Sequence, residues 1–228
     1  VREIAHSAAG FAGVRVIAAE RNKGLARSVI DGVSEVLRQH DRVIVVEDDV
    51  ALSPFFLRFM NDALDRHATN ERVWSVGSWS YFAKPGTRAD NFFLRFPDSI
   101  AWATWRRSWQ RFEQDGRTLV EQLRSTGKDK ALEADGRVDY FGPMLQQQLE
   151  GRVDSWAIRW TASCVLHGGL NLFPRVALSK HVGFGEGATH ETGELDYNKD
   201  LALASSPVPV AGQDIAESST ALDQWVAY

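Results

Sequence analysis

A single cysteine in 228 residues excludes an internal disulfide. Cys164 lies inside an apolar stretch and reads as a packed core residue, in a chain suited to a reducing compartment. With that one thiol and scattered histidines, no zinc-ligand spacing occurs. There is no GxxxxGK[ST] pattern, which argues against a P-loop nucleotide site. No apolar run approaches the ~20 residues of a membrane-spanning helix. Positive charge is not in excess: the net charge is −4, so no general attraction to nucleic acid or to an anionic membrane is expected. Internal repeats and low-complexity blocks are also missing.

What is present is ordinary for a globular protein, with 44% hydrophobic and 25% charged residues. The length suits one sizeable domain or a domain with a small appendage. Residues 1–200 are expected to form that domain, and 201–228, with Ser205-Ser-Pro-Val-Pro209, a loose C-terminal extension. Eight tryptophans is a high count, and several are clustered, at Trp102, Trp105 and Trp109 and at Trp156 and Trp160.

The chain is organised around Arg42-Val-Ile-Val-Val-Glu47-Asp48-Asp49. A short β-branched run that ends in carboxylates reads as a buried strand of a mainly parallel sheet. Open α/β sheets bind ligands at the C-terminal ends of such strands. Adjacent acids repel one another unless a cation or hydrogen bonds compensate. Two readings follow: a divalent metal with oxygen ligands that grips phosphate, or a solvated acidic turn.

Around this stretch the elements alternate. Val14–Ala19 reads as a first strand, and Asn22 as the cap of an amphipathic helix from Leu25 to about His40. This order predicts a right-handed crossover and parallel pairing. Ser53-Pro54 begins another helix with a stripe of Phe55, Phe56, Phe59, Met60, Ala63 and Leu64. Strands are expected at Val73–Gly77, Asn91–Phe96 and Leu170–Phe173, and helices at Asp139–Leu149 and Trp156–Leu166. From Ile100 the texture becomes Trp-rich and helical. The opening Arg2-Glu-Ile-Ala-His-Ser-Ala reads as the tail of a helix, and the natural protein is expected to start earlier.

Val43-Ile-Val-Val-Glu-Asp-Asp-Val-Ala-Leu-Ser-Pro-Phe-Phe56, followed by Val73-Trp-Ser-Val-Gly-Ser-Trp79, resembles the GT-A glycosyltransferases related to N-acetylglucosaminyltransferase I. Phe96-Pro-Asp-Ser-Ile-Ala-Trp102 is similar to that family's Phe-Pro segment. Val153-Asp154-Ser155-Trp156 with Arg159 resembles its acceptor-side Asp/Trp motif. Gly183-Phe-Gly-Glu-Gly-Ala-Thr189-His190 resembles the loop that closes over the donor pyrophosphate. There are departures: Val153 stands where the family has Trp, and Ser155 where it has a second Asp. The strand that holds the nucleotide base belongs before residue 14, where only a helix-like fragment occurs.

The resemblance implies an α/β GT-A fold with helices on both sheet faces, and an inverting, metal-dependent transfer from a nucleotide-sugar, most simply a UDP-sugar, to a hydroxyl of a glycan or other acceptor. Asp49 would be the direct ligand of Mn²⁺ or Mg²⁺, with His190 meeting the metal or a phosphate. Glu47 and Asp48 would contact sugar and ribose hydroxyls, Thr189 the donor, and Trp102 and Trp156 a sugar ring. Asp154 would be the general base.

On the residues alone, each role has a plainer counterpart. Asp154 is equally an N-cap, His190 a surface histidine, and Trp102 and Trp156 core. Asn22 and Gly24 are a helix cap or a nucleotide contact; Arg21 and Arg159 are diphosphate or structural partners. A nucleotidyltransferase on the same fold and a non-catalytic carbohydrate- or nucleotide-binding module are the rival functions. A cytoplasmic location, free or at a membrane periphery, is expected, with no nucleic-acid partner.

Overall fold

The computed structural model describes residues 2–80, 91–183, 201–212 and 214–227. In chain order its elements are α1 (Arg2–His6), α2 (Leu25–Gln39), β1 (Arg42–Val46), β2 (Val50–Leu52), α3 (Phe56–Arg66), β3 (Val73–Gly77), β4 (Asn91–Leu94) and β5 (Ala101–Trp105). They continue with α4 (Arg106–Trp109), α5 (Gly116–Ser125), α6 (Asp129–Leu132), α7 (Phe141–Leu149), α8 (Trp156–His167), β6 (Leu170–Pro174), β7 (Ser179–His181) and α9 (Ser219–Ala227). No described helix is long and apolar enough to cross a membrane.

The architecture is mixed α/β. Five strands form one sheet in the order β1-β5-β3-β6-β4, and β2 pairs with β7 in a separate ribbon. Strands alternate their side chains between two faces, so a sheet with cores on both sides needs apolar residues at every position. On one face Ala101, Ala103 and Trp105 of β5, with Leu170 and Leu172 of β6, pack against α3. The helix offers Phe56, Phe59, Met60, Ala63 and Leu64, the spacing of one apolar stripe, all essentially sequestered from water. Burial of each larger side chain in that stripe is worth about 1.5–3 kcal/mol. On the opposite face Trp74 and Trp102 meet Ala26, Ile30, Val33 and Leu37 of α2 and Trp156, Trp160 and Cys164 of α8.

Three expectations are corrected. The sheet is not mainly parallel: β1–β5, β3–β5 and β4–β6 are antiparallel, and only β3–β6 is parallel. The cause is β5, which lies between β1 and β3 with Val45 opposite Trp102 and Thr104 opposite both Val43 and Ser75. Its sequence, Ala-Trp-Ala-Thr-Trp, is buried on both faces, so no polar residue marks a period of two and the segment passes for helix. Nevertheless β1, β3 and β6 run the same way, and the carboxylates stand at their C-terminal edge.

Val14–Ala19 is not a strand. The segment is irregular and largely exposed, with Ile17 67% accessible, and Arg15 reaches Glu35 of α2 at 3.5 Å. Strand propensity is realised only in a ladder, and this segment has none among the described residues.

The C-terminal stretch is not loose. Ser53 Oγ donates to Ala204 O at 2.7 Å, and Ala204 N donates to Ala177 O at 2.8 Å. Arg95 Nε reaches both carboxylate oxygens of Glu217, at 2.9 and 3.0 Å, and Trp225 stacks on Phe96 with centroids 4.5 Å apart.

Candidate functional site

β1 delivers the chain to the sheet edge at Val46, and Glu47, Asp48 and Asp49 make the turn into β2. The β2–β7 ribbon then fixes the last of them. Val50 lies opposite His181, Leu52 opposite Ser179, and Val182 N donates to Asp49 O at 2.8 Å. His181 Nε2 is 3.0 Å from Asp49 Oδ2. The other carboxylate oxygen, Asp49 Oδ1, is buried and has no hydrogen-bond partner among the described residues. Gly183 passes so close to this carboxylate that any side chain at position 183 would overlap it.

Asp48 is exposed, whereas Glu47 is half-buried. Burial, followed by the nearby charge of Asp49, pushes the Glu47 carboxyl from an ordinary 4.5 up to about 7. Asp48 and Asp98 push the same way, and His181 opposes them. For an acid with a raised value in the fold, the stabilisation is complete below 4.5 and is lost as pH climbs through about 7. In chelator-containing buffer, Glu47→Gln should therefore raise stability at pH 8 by about 1–2 kcal/mol, after discounting for solvent screening, with no gain at pH 4. Denaturant titrations of both proteins at the two pH values check this; an equal difference at both would refute it.

Asp98 fixes the neighbouring loops. It is 2% exposed, and its Oδ2 accepts from Ser78 N at 2.9 Å and Trp79 N at 3.0 Å, while Oδ1 accepts from Ile100 N at 3.0 Å. Burial pushes its carboxyl up against the opposing pull of these amides. Ser78 Oγ donates to Ala101 O at 2.5 Å and lies 2.6 Å from Ser179 Oγ, which joins the ends of β3, β5 and β7. Gly77 is required here, because a Cβ would meet the Phe173 ring at 2.6 Å and Asp98 Cβ at 2.8 Å.

Asp154 comes to the same end of the sheet. Trp156, at the start of α8, stacks on Trp102 with centroids 5.1 Å apart, and Trp102 sits opposite Val45, next to the end of β1. The other end of α8 lies at the start of β3, where His167 stacks on Trp74 at 5.4 Å. Asp154 does not cap this helix. Ser155 does, its side chain accepting from Ile158 N at 3.3 Å. The Asp154 carboxylate is 66% exposed and held by Arg159 Nη2 at 2.9 Å. Arg159 is structural as well, donating to Ser155 O at 3.0 Å and Gln114 O at 3.3 Å.

Trp102 and Trp156 are corrected as sugar platforms: they are 0% and 3% exposed, with their rings covered by one another and by the surrounding aromatic cluster. The cause is the two-sided burial of β5, which turns Trp102 inward beneath α8. Thr189 and His190 lie outside the described residues. Asn22 accepts from Gly24 N at 2.8 Å and closes the turn before α2, whose cap position is Gly24 itself. A hollow of about 730 Å³ beside α2 is lined by charges of both signs, among them Arg15 paired to Glu35, Lys23 paired to Asp31, and Arg21.

No three His, Cys, Asp or Glu side chains among the described residues converge to hold a metal ion by themselves. Asp49 Oδ1 is a buried carboxylate oxygen without a hydrogen-bond partner among the described residues, and oxygen donors are what a hard cation takes. A cation that takes part of its coordination from substrate phosphates and water needs only one or two protein ligands.

Sequence reasoning gave no role to His181, and it named Gly183 and Asp98 only as members of longer segments. For Asp98 a signal existed, its place in the Phe96–Trp102 segment; for His181, 132 residues from Asp49, none did. No family model matches the chain, and no curated protein matches it.

Proposed function

We propose that the chain is a metal-dependent inverting glycosyltransferase of the GT-A type, transferring a sugar from a nucleotide-sugar, a UDP-sugar being the simplest donor, to an acceptor hydroxyl of a glycan or other molecule. The observation that carries the reading is the partnerless, buried Asp49 Oδ1 in a carboxylate turn at the C-terminal edge of β1. Asp49 would hold Mn²⁺ or Mg²⁺, which, when bound, supplies neutralisation of charge on the departing diphosphate.

This chain's own groups do the rest. Asp48, exposed beside the turn, accepts hydrogen bonds from donor hydroxyls. Glu47, half-buried, does the same from a less polar position and orients the donor. Inversion requires attack from the face opposite the diphosphate, so the base must come from a different element. Asp154 does so: it precedes α8, stands at the carboxylate end of the sheet, and is steadied by Arg159. It takes the proton from the acceptor hydroxyl as the new glycosidic bond forms.

The test incubates the full chain with Mn²⁺, a UDP-sugar and a hydroxyl acceptor and identifies the nucleotide product. Free UDP and a glycoside of inverted configuration are expected. Pyrophosphate would instead indicate a nucleotidyltransferase, and binding without turnover a non-catalytic module. Asp154→Asn should lower turnover by about 10²-fold with donor binding nearly unchanged. Unaltered turnover in that variant would assign the base elsewhere.

A further inference from the structure

We infer that the arginine-lined hollow at the start of β1 and the end of β5 is a binding site for a phosphate-bearing ligand, separate from the carboxylate turn. The hollow measures about 800 Å³. It lies at the opposite end of β1, about 16 Å along the strand from that turn, and does not depend on the function proposed above.

Strand pairing assembles the site. β1 is antiparallel to β5, so Arg42, its first residue, lies opposite Trp105, the last residue of β5. Directly paired residues share a face of the sheet. Both turn toward α3, where Arg42 pairs with Asp65 and Trp105 Nε1 donates to Leu64 O at 3.2 Å. Arg107, two residues on, lies over the same indole with its guanidinium 4.5 Å from the ring centroid. Arg106 goes the other way, and its Nε donates to Leu37 O of α2 at 2.6 Å. His40 and Gln110 complete the wall with further N–H donors.

The charge is unbalanced. Three arginines line the hollow against one carboxylate, Asp41, in a chain whose net charge is −4. Arg107 is the rigid member. Its Nε donates to Ala68 O at 3.1 Å, Nη1 to Val73 O at 2.8 Å and Ser108 Oγ at 3.1 Å, and Nη2 to His67 O at 2.9 Å. A guanidinium has five N–H donors, so one is left for a ligand. Every one of these partners is neutral, and no carboxylate pairs with Arg107 among the described residues. Burial pushes this guanidinium down from its usual value, with Glu71 opposing and Arg111 adding to the push. A fixed, half-buried cation without a counter-charge favours an anion beside it.

The other two arginines are free to join it. Arg42 is 43% exposed and its partner Asp65 67%; Arg106 is 37% exposed and meets Asp41, 89% exposed, at 3.2 Å. Exposed ion pairs of this kind contribute little, whereas a guanidinium fork matches two phosphate oxygens at once.

The experiment titrates the full chain, stripped of metal and at low ionic strength, with pyrophosphate in a calorimeter. Saturable binding is expected, weakening as salt screens the charges. Arg42→Gln combined with Arg106→Gln should lower the affinity about 10-fold or more, whereas Asp49→Asn and Arg21→Gln should leave it within about 2-fold of the parent. If the double variant folds poorly, Arg42→Gln alone should still show a loss of about 3-fold or more. Sedimentation with phosphatidylglycerol vesicles separates the sources of the phosphate. Uptake that pyrophosphate reverses identifies a lipid headgroup; pyrophosphate binding without uptake identifies a soluble phosphate compound. Absence of saturable binding to both probes would overturn the inference, as would unchanged affinity in the Arg42 and Arg106 variants or a loss confined to Arg21→Gln.

Discussion

Asp49→Asn should abolish Mn²⁺-dependent binding of a UDP-sugar, a loss of more than about 10³-fold in affinity, while changing folding stability by less than about 1 kcal/mol. The two halves of this expectation have different causes. Asparagine matches the carboxylate in shape and can still hydrogen-bond His181, so the β2–β7 ribbon keeps its contacts. The Asp49 side chain is 38% exposed, which limits what the fold can lose. The loss falls on the cation instead. A neutral amide oxygen is a much poorer ligand than a carboxylate, and in this turn Asp49 contributes the buried, partnerless oxygen. Metal and nucleotide should therefore bind together, with the free protein holding Mn²⁺ only weakly. Calorimetric titration of parent and variant with the Mn²⁺–UDP-sugar complex measures the effect, and equal affinities would remove the metal site from consideration.

Asp98→Ala should destabilise the protein by about 3–5 kcal/mol, the second large effect, although Asp98 need touch neither donor nor acceptor. Its two oxygens satisfy the backbone amides of Ser78, Trp79 and Ile100 in a water-free position. Alanine strands all three donors at once. A buried amide left without a partner costs about 1–3 kcal/mol, and such losses are not fully additive. For a protein of this size the melting temperature should fall by roughly 10 °C. Asp98→Asn should be intermediate, since it retains an acceptor while turning an NH₂ group toward donors that already point inward. Asp62→Ala, on the exposed side of α3, should remain within about 0.5 kcal/mol of the parent. A melting point of Asp98→Ala within 2 °C of that control would show that water replaces the carboxylate and that the loops do not depend on it.

Asp98 also bears on the chemistry of the turn. Its charge is one of those that raise the Glu47 carboxyl. A site of this kind accumulates acidic groups at the cost of apo stability, and a cation offsets that cost. Glu47→Gln and Asp98→Ala should then separate the two contributions. The first relieves repulsion and stabilises the metal-free protein above pH 7; the second removes structural hydrogen bonds and destabilises it across the range.

Local pattern alone was enough for the α/β class, for α2, α3, α7 and α8, and for the carboxylate turn after β1. A buried stripe at helical spacing, or a β-branched run that stops at acids, needs no partner to be recognised, because each reflects the periodicity of its own backbone. The direction of pairing was not legible. β5 is buried on both faces, so its sequence shows no alternation, and its insertion between β1 and β3 makes most of the ladder antiparallel. Nor could composition tell that Trp102 and Trp156 face inward, since that depends on α8 crossing over β5. Val14–Ala19 has the residues of a strand and no ladder among the described residues, because strand formation depends on pairing with another segment. The meeting of Asp49 with His181 is likewise a product of the fold. Hydrogen-bond ladders and burial are non-local, and it is the β2–β7 ribbon that brings a histidine 132 residues away to Asp49, whose remaining oxygen is buried without a partner among the described residues.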